Sequence, residues 1–124
     1  MDKEVLEKIK PGAKVKVWEK ISAEGHSTPR VSASRSGSAS GGKEGRRLSA
    51  FEGIVLARKH GSEAGATFTV RAVLQEVGVE KIYPIHSPTI AKVEIISSPR
   101  KVSRSKLYYL RNLSSKKVKE KLAV

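Results

Sequence analysis

A small all-β fold, an antiparallel barrel of short strands, is what three features of this 124-residue sequence predict. Apolar and polar residues alternate in several short runs, the period-two signature of a half-buried strand. Turn residues, rather than long helical patterns, separate those runs. Hydrophobic residues make up 38% of the chain and aromatic residues 5%, so the core is small and built mainly from Val, Ile, Leu and Ala. The length fits one domain with tails: a short N-terminal segment 1–12, a barrel 13–96 interrupted by an insertion 22–46, and a C-terminal extension 97–124.

Taken in order, "DKEVLEKIK" at 2–10 places Val5, Leu6 and Ile9 on one side of a short helix, and Pro11–Gly12 ends it and turns the chain. "AKVKVWEK" alternates strictly. Ala13, Val15 and Val17 face one way; Lys14, Lys16, Trp18 and Lys20 face the other, which describes a strand with a basic outer face. The next segment differs in kind. Of its residues 22–46, seven are Ser, five Gly and one Pro, and apolar side chains are scattered, so it cannot bury enough surface to offset ordering and reads as a long flexible hairpin loop.

A second strand is expected over Leu48–Lys59, with Gly53 marking a bend or bulge. "TFTVRAVL" gives a third, with Phe68, Val70, Ala72 and Leu74 on one face. "QEVGVEKIYPI" gives a fourth, interrupted by Gly78 and ended by Pro84, and a fifth lies near Ile90–Ile96. Within the extension, "SKLYYLRNL" fits one or two helical turns that share Leu107, Leu110 and Leu113 on a side. "SSKKVKEKL" is expected to continue it as a basic helix on binding, and to fray when free because it is short and like-charged.

Charge points to the partner. Twenty-five Lys and Arg against twelve Asp and Glu leave +13, and nine bases with one acid in residues 97–124 supply +8 of it. Such an excess calls for a polyanion. An anionic membrane is disfavoured, because no long apolar run and no amphipathic helix with a wide apolar face is present. The N-terminus lacks an apolar signal core, and the absence of cysteine removes disulfides and thiolate chemistry, which makes the cytoplasm the expected compartment.

No catalytic constellation emerges. His26, His60 and His86 are far apart, with neither HxH nor HExxH spacing, so neither a metal nor another cofactor is expected. No G-x-S-x-G elbow occurs, and "GKEGR" lacks the spacing of a phosphate loop. Glu52 and Glu80, on predicted strands, read as ion-pair partners for nearby Lys or Arg rather than as an acid/base couple.

"AFEGIVLARK", "TFTVRAV", "VGVEKIYPIHSPTI", "AKVEII" and "RSKLYYLRNL" occur in that order. Together they resemble the bacterial large-subunit ribosomal protein L-nineteen family over residues 11–20 and 48–113, most specifically in "YPIHSP" and "KLYYLRNL". The resemblance implies a translation-protein SH3-like barrel. It implies 23S rRNA as partner, neighbouring large-subunit proteins of families fourteen and three, a place near the small subunit with contacts to 16S rRNA, and no small-molecule substrate. Three departures stand out: a shorter N-terminal helix, the enlarged hairpin connection at 22–46, and Glu76 where a small residue is more usual.

A-form RNA offers a protein mainly phosphates and 2′-hydroxyls. Arg100, Lys101, Arg104, Lys106 and Arg111 are therefore the expected backbone contacts, supported by Lys116, Lys117 and Lys119. Arg58, Lys59 and Arg71 extend the patch onto the barrel. Arg30, Arg35, Lys43, Arg46 and Arg47 make the insertion and its edge a basic arm, the alternative being a tolerated surface loop. Tyr108 and Tyr109 lie roughly 100° apart on a helical turn, so one ring can anchor the tail while the other meets RNA; packing of both is the alternative. His86 is either a turn histidine bonded to backbone or an RNA contact. A free RNA- or peptide-binding adaptor is the competing reading, although a peptide groove needs exposed aromatics and Trp18 is the one candidate.

Overall fold

The computed structural model describes residues 3–21 and 47–122. The basic arm proposed for 22–46, Arg46 included, lies outside the described residues. Helix α1 (Lys3–Lys8) precedes strands β1 (Lys14–Ile21), β2 (Arg47–Lys59), β3 (Thr67–Leu74), β4 (Val77–Pro84) and β5 (Ile90–Ser97). A 3-10 turn at Tyr108–Asn112 and helix α2 (Ser115–Leu122) follow. The strands form one antiparallel sheet in the order β4-β3-β2-β1-β5, an all-β architecture of the SH3-like kind with a C-terminal helix. All five expected strands are present, their ends shifted by a residue or two.

Alternation decides which side chains meet. Ala13, just before β1, and Val15 and Val17 within it are fully buried and pack in one core with Val55, Phe68, Val70, Tyr83, Ile85 and Val93, and Ile9 after α1 joins that core. Phe68 and Tyr83 stack with ring centroids 5.5 Å apart. Ala72 and Leu74, expected on the apolar face, depart from the pattern: Ala72 is half-buried and Leu74 exposed. Pairing of β2 with β3 stops at Ile54↔Arg71, so residues 72–74 have only β4 beside them and project beyond the sheet.

Two glycines are dictated by contact. A Cβ on Gly53 would lie 2.4 Å from the carbonyl oxygen of Arg71, so close approach of β3, rather than an unusual dihedral, demands glycine there. Gly12 has a φ of +90°, which glycine adopts without steric cost. A Cβ there would also press on Pro99, Val102 and Leu122 of the C-terminal segment.

The bend in β2 sits further on. Its register against β3 slips between Val55 and Ala57, leaving Leu56 unpaired in that ladder. Adjacent strand residues point to opposite faces, and the bulge leaves the Leu56 backbone free of the β3 ladder. Val55 enters the core, and Leu56 is buried on the outer face beneath Leu107, Leu110, Val118 and Leu122. The Leu56 carbonyl accepts a hydrogen bond from Leu107 N–H at 2.8 Å, and Ala57 bridges Lys106. The bulge is thus the dock for the C-terminal segment. That segment differs from the expected continuous helix, since Leu113 takes an extended conformation between the 3-10 turn and α2. Buried apolar packing, the main support of short helices, reaches α2 through Val118 and Leu122.

Candidate nucleic-acid interface

The leucines of the C-terminal segment determine where its cations go. Leu107, Leu110 and Leu113 recur at the three-residue spacing that a 3-10 turn places on one side. Leu107 and Leu110 are buried and Leu113 is half-buried. In α2, Val118 and Leu122 are four residues apart and both buried, which leaves Lys116, Lys117, Lys119 and Lys121 exposed. Arg100, Lys101, Arg104 and Lys106, on the connection from β5, are exposed as well. None of these eight side chains has an ion-pair partner among the described residues.

Lys101, Arg104 and Lys121 line one hollow with Tyr109, Val102, Ser103 and Leu122. The Arg104 guanidinium carbon lies 5.5 Å from the centroid of the Tyr109 ring, a cation–π arrangement. Lys121 was not among the residues singled out from sequence. Its signal was helical spacing: it is four residues beyond Lys117 and adjacent to the apolar Leu122.

Three of the sequence-derived cations are bonded to the protein itself. Arg58 donates to the carbonyls of Leu6 and Ile9, and to that of Gly61 at 3.0 Å, tying the C-terminal end of α1 to the β2–β3 loop. Carbonyls at a helix end lack intrahelical donors, so the guanidinium satisfies groups that would otherwise be orphaned. Arg71 Nη1 donates to Glu80 Oε1 at 2.9 Å, across the register pair Arg71↔Glu80. Arg111 donates Nε to Glu80 Oε1 at 2.6 Å and Nη2 to Glu80 Oε2 at 2.7 Å, while its guanidinium lies 4.8 Å from the Tyr108 ring centroid.

Glu80 therefore joins β3, β4 and the 3-10 turn through one carboxylate. The Arg111 hydrogen bonds hold its pKa below the usual glutamate value, with Arg71 adding to the effect and partial burial opposing it. Glu52, the other strand glutamate, pairs with Lys14 at 2.7 Å. Both expected ion-pair assignments are present.

The remaining candidates are spread around the sheet. Lys59 is exposed at the end of β2, and Arg47 is exposed at its start, opposite Ile21. His86 is exposed, with Nε2 3.3 Å from the Ser62 carbonyl oxygen, a backbone contact between the β4–β5 and β2–β3 loops. Tyr108 and Tyr109 are both half-buried, each under an arginine. Chemically, the arrangement presents fixed, exposed cations next to two partly accessible rings. Among the described residues no three His, Cys, Asp or Glu side chains gather as metal ligands. Comparison with known families matches residues 38–122 to the family model described as Ribosomal protein L19.

Proposed function

The chain belongs to the ribosomal protein L19 family, a structural constituent of the large ribosomal subunit, and from that premise we propose that it binds 23S rRNA through the cations of its C-terminal segment. It lies near the subunit interface and adds contacts to 16S rRNA there, in a cytoplasmic ribosome. Its protein neighbours are large-subunit proteins of families fourteen and three. The role is architectural: the fixed cations hold RNA helices in place and carry out no reaction.

One observation carries the reading. Eight Lys and Arg side chains with no ion-pair partner among the described residues sit on a segment that is pinned to the sheet by Leu107, Leu110, Val118 and Leu122. Cations displayed from a docked scaffold lose less freedom on meeting phosphate than cations on a loose tail. Lys101, Arg104, Lys121, Lys116, Lys117 and Lys119 are the leading contacts, with Arg100 and Lys106 flanking them. Tyr109, which lines the hollow beside Arg104, is the ring placed to stack on a base or ribose.

Filter binding of the full chain to a 23S rRNA fragment, across a range of salt concentrations, tests this. Neutralising about six phosphates gives a log–log slope of roughly −4 to −5. Replacing Lys101, Arg104 and Lys121 together with Gln makes that slope shallower by about 2 to 3 while the thermal midpoint holds. A flat salt response removes the electrostatic basis of the proposal. Sedimentation separates it from the free-adaptor alternative: a subunit constituent co-migrates with 50S particles at moderate salt, an adaptor stays free.

A further inference from the structure

We infer that Glu80 is a specificity-determining residue: by accepting hydrogen bonds from Arg71 and Arg111, it withholds these two arginines from phosphate and leaves RNA contact to the cations that have no such partner. The inference rests on the RNA-binding reading above and refines it, because both arginines belong to the basic set that composition alone marks out.

Geometry carries it. Arg binds phosphate best through a two-pronged edge. The Nε and Nη2 edge of Arg111 is spent on the two oxygens of Glu80, at 2.6 and 2.7 Å, and one face of the same guanidinium is turned to Tyr108. Arg71 is more enclosed. Its guanidinium lies so close over Gly78 that a Cβ there would be 2.4 Å from Nη2, and its side chain is 21% exposed. Gly78 is the diagonal neighbour of Arg71 across the β3–β4 pair, on the same face as Glu80. Only a glycine at that position lets the arginine lie flat and reach the carboxylate.

The cluster has two cations and one anion, and Glu80 accepts three charge-assisted hydrogen bonds. A phosphate seeking the Nε–Nη2 edge of Arg111 must displace a bidentate pair, and one seeking Nη1 of Arg71 must break its bond to Glu80. No comparable carboxylate partner stands in front of Lys101, Arg104 or Lys121 among the described residues. A basic protein needs such a restraint, since an unrestrained excess of cations binds any polyanion.

The test compares full-length wild type, Glu80→Gln and Glu63→Gln for binding to polyuridylate and to a 23S rRNA fragment over a salt series. Glu63 is exposed in the β2–β3 loop with no ion pair among the described residues, so its variant makes the same change in net charge elsewhere. Releasing both arginines steepens the Glu80→Gln slope on polyuridylate by roughly 1 to 2 and tightens that binding about fivefold. The ratio of 23S to polyuridylate affinity falls, and Glu63→Gln stays near wild type. Equal behaviour of the two variants, or weaker binding by Glu80→Gln, overturns the inference.

A measurement on wild type removes any dependence on how the variant folds. The Arg111 Nε–H resonance should keep its shift and its slow exchange when 23S RNA is added; movement toward a phosphate-bonded position overturns the inference. Should wild type fail to bind 23S RNA with a salt-dependent affinity, the functional reading falls, while the polyuridylate comparison still decides the role of Glu80.

Discussion

Glu19 of β1 and Lys81 of β4 meet as an ion pair, Oε2 to Nζ at 2.5 Å, although β2 and β3 lie between their strands in the sheet. A flat sheet would hold strands three places apart at about 14 Å. The contact therefore records how far the sheet curls on itself. The Lys81 ammonium also stands 5.6 Å from the Phe51 ring centroid and 5.2 Å from that of Tyr83, so one side chain covers the aromatic end of the core while pairing with an acid.

Lys81→Met tests that closure. Loss of a half-buried ion pair, together with cation–π contact, is expected to cost about 1 kcal/mol in denaturant unfolding. The pH dependence has a definite sign. Lys81 has a raised pKa in the folded state, chiefly through its hydrogen bond to Glu19. Its stabilisation is therefore complete below the ordinary lysine value of 10.5 and is lost as pH rises through the higher folded value. Burial raises Tyr83, and that stabilisation also declines above the ordinary tyrosine value of 10.0. Thermal melts of wild type should fall on passing from neutral to strongly alkaline pH, and Lys81→Met should lose part of that decline. An identical alkaline profile in the two proteins rules out Lys81 as a source.

Gly53→Ala should be far more costly than its size suggests. The added methyl would sit 2.4 Å from the Arg71 carbonyl oxygen and 2.8 Å from its carbon, and backbone of a paired strand cannot swing aside as a side chain does. Overpacking of this kind typically costs 1–3 kcal/mol, and a loss of about 3 kcal/mol is expected here. Gly65→Ala, with nothing within 4 Å, is the contrast and should lie within about 0.5 kcal/mol of wild type. Equal midpoints for the two variants in urea would mean that β2 and β3 are not packed this closely.

The strands were legible because alternation is a local property, visible in "AKVKVW" without knowing any partner. Local patterns are silent about where pairing stops. That is why Ala72 and Leu74 continue the apolar face on paper, yet extend beyond β2 in the fold. The Leu56 bulge is hidden for a related reason: "GIVLA" is an unbroken apolar run, and nothing in it marks which residue leaves the ladder. Cations of the interface could be read from composition. Which of them are spent inside the protein could not, since Arg58 finds Leu6 across 52 positions and Arg111 finds Glu80 across 31. Arg71 and Glu80, nine apart, are the exception, since the hairpin register of β3 and β4 sets them directly opposite each other.

Leu110→Ala addresses whether the C-terminal segment is a separate docking unit. Leu110 is 4% exposed and packs with Leu56, Leu107, Val118 and Leu122 on the outer face, apart from the main core. Truncating a buried leucine costs about 2–5 kcal/mol, and the low end applies because this cluster lies at the surface and can relax. A loss near 2 kcal/mol, charged to local opening, corresponds to roughly 30-fold faster exchange of the amides that depend on docking. Those amides are Leu107 N–H, bonded to the Leu56 carbonyl, and Val118 N–H, bonded to that of Ser114. Val55 N–H, bonded to the Ala13 carbonyl just before β1, should keep its wild-type protection. The same variant should then bind 23S RNA more weakly without losing any charge, because its cations are no longer held in one arrangement. Parallel loss of protection at Val55 would make the tail and the sheet a single cooperative unit, and undiminished RNA affinity would sever docking from binding.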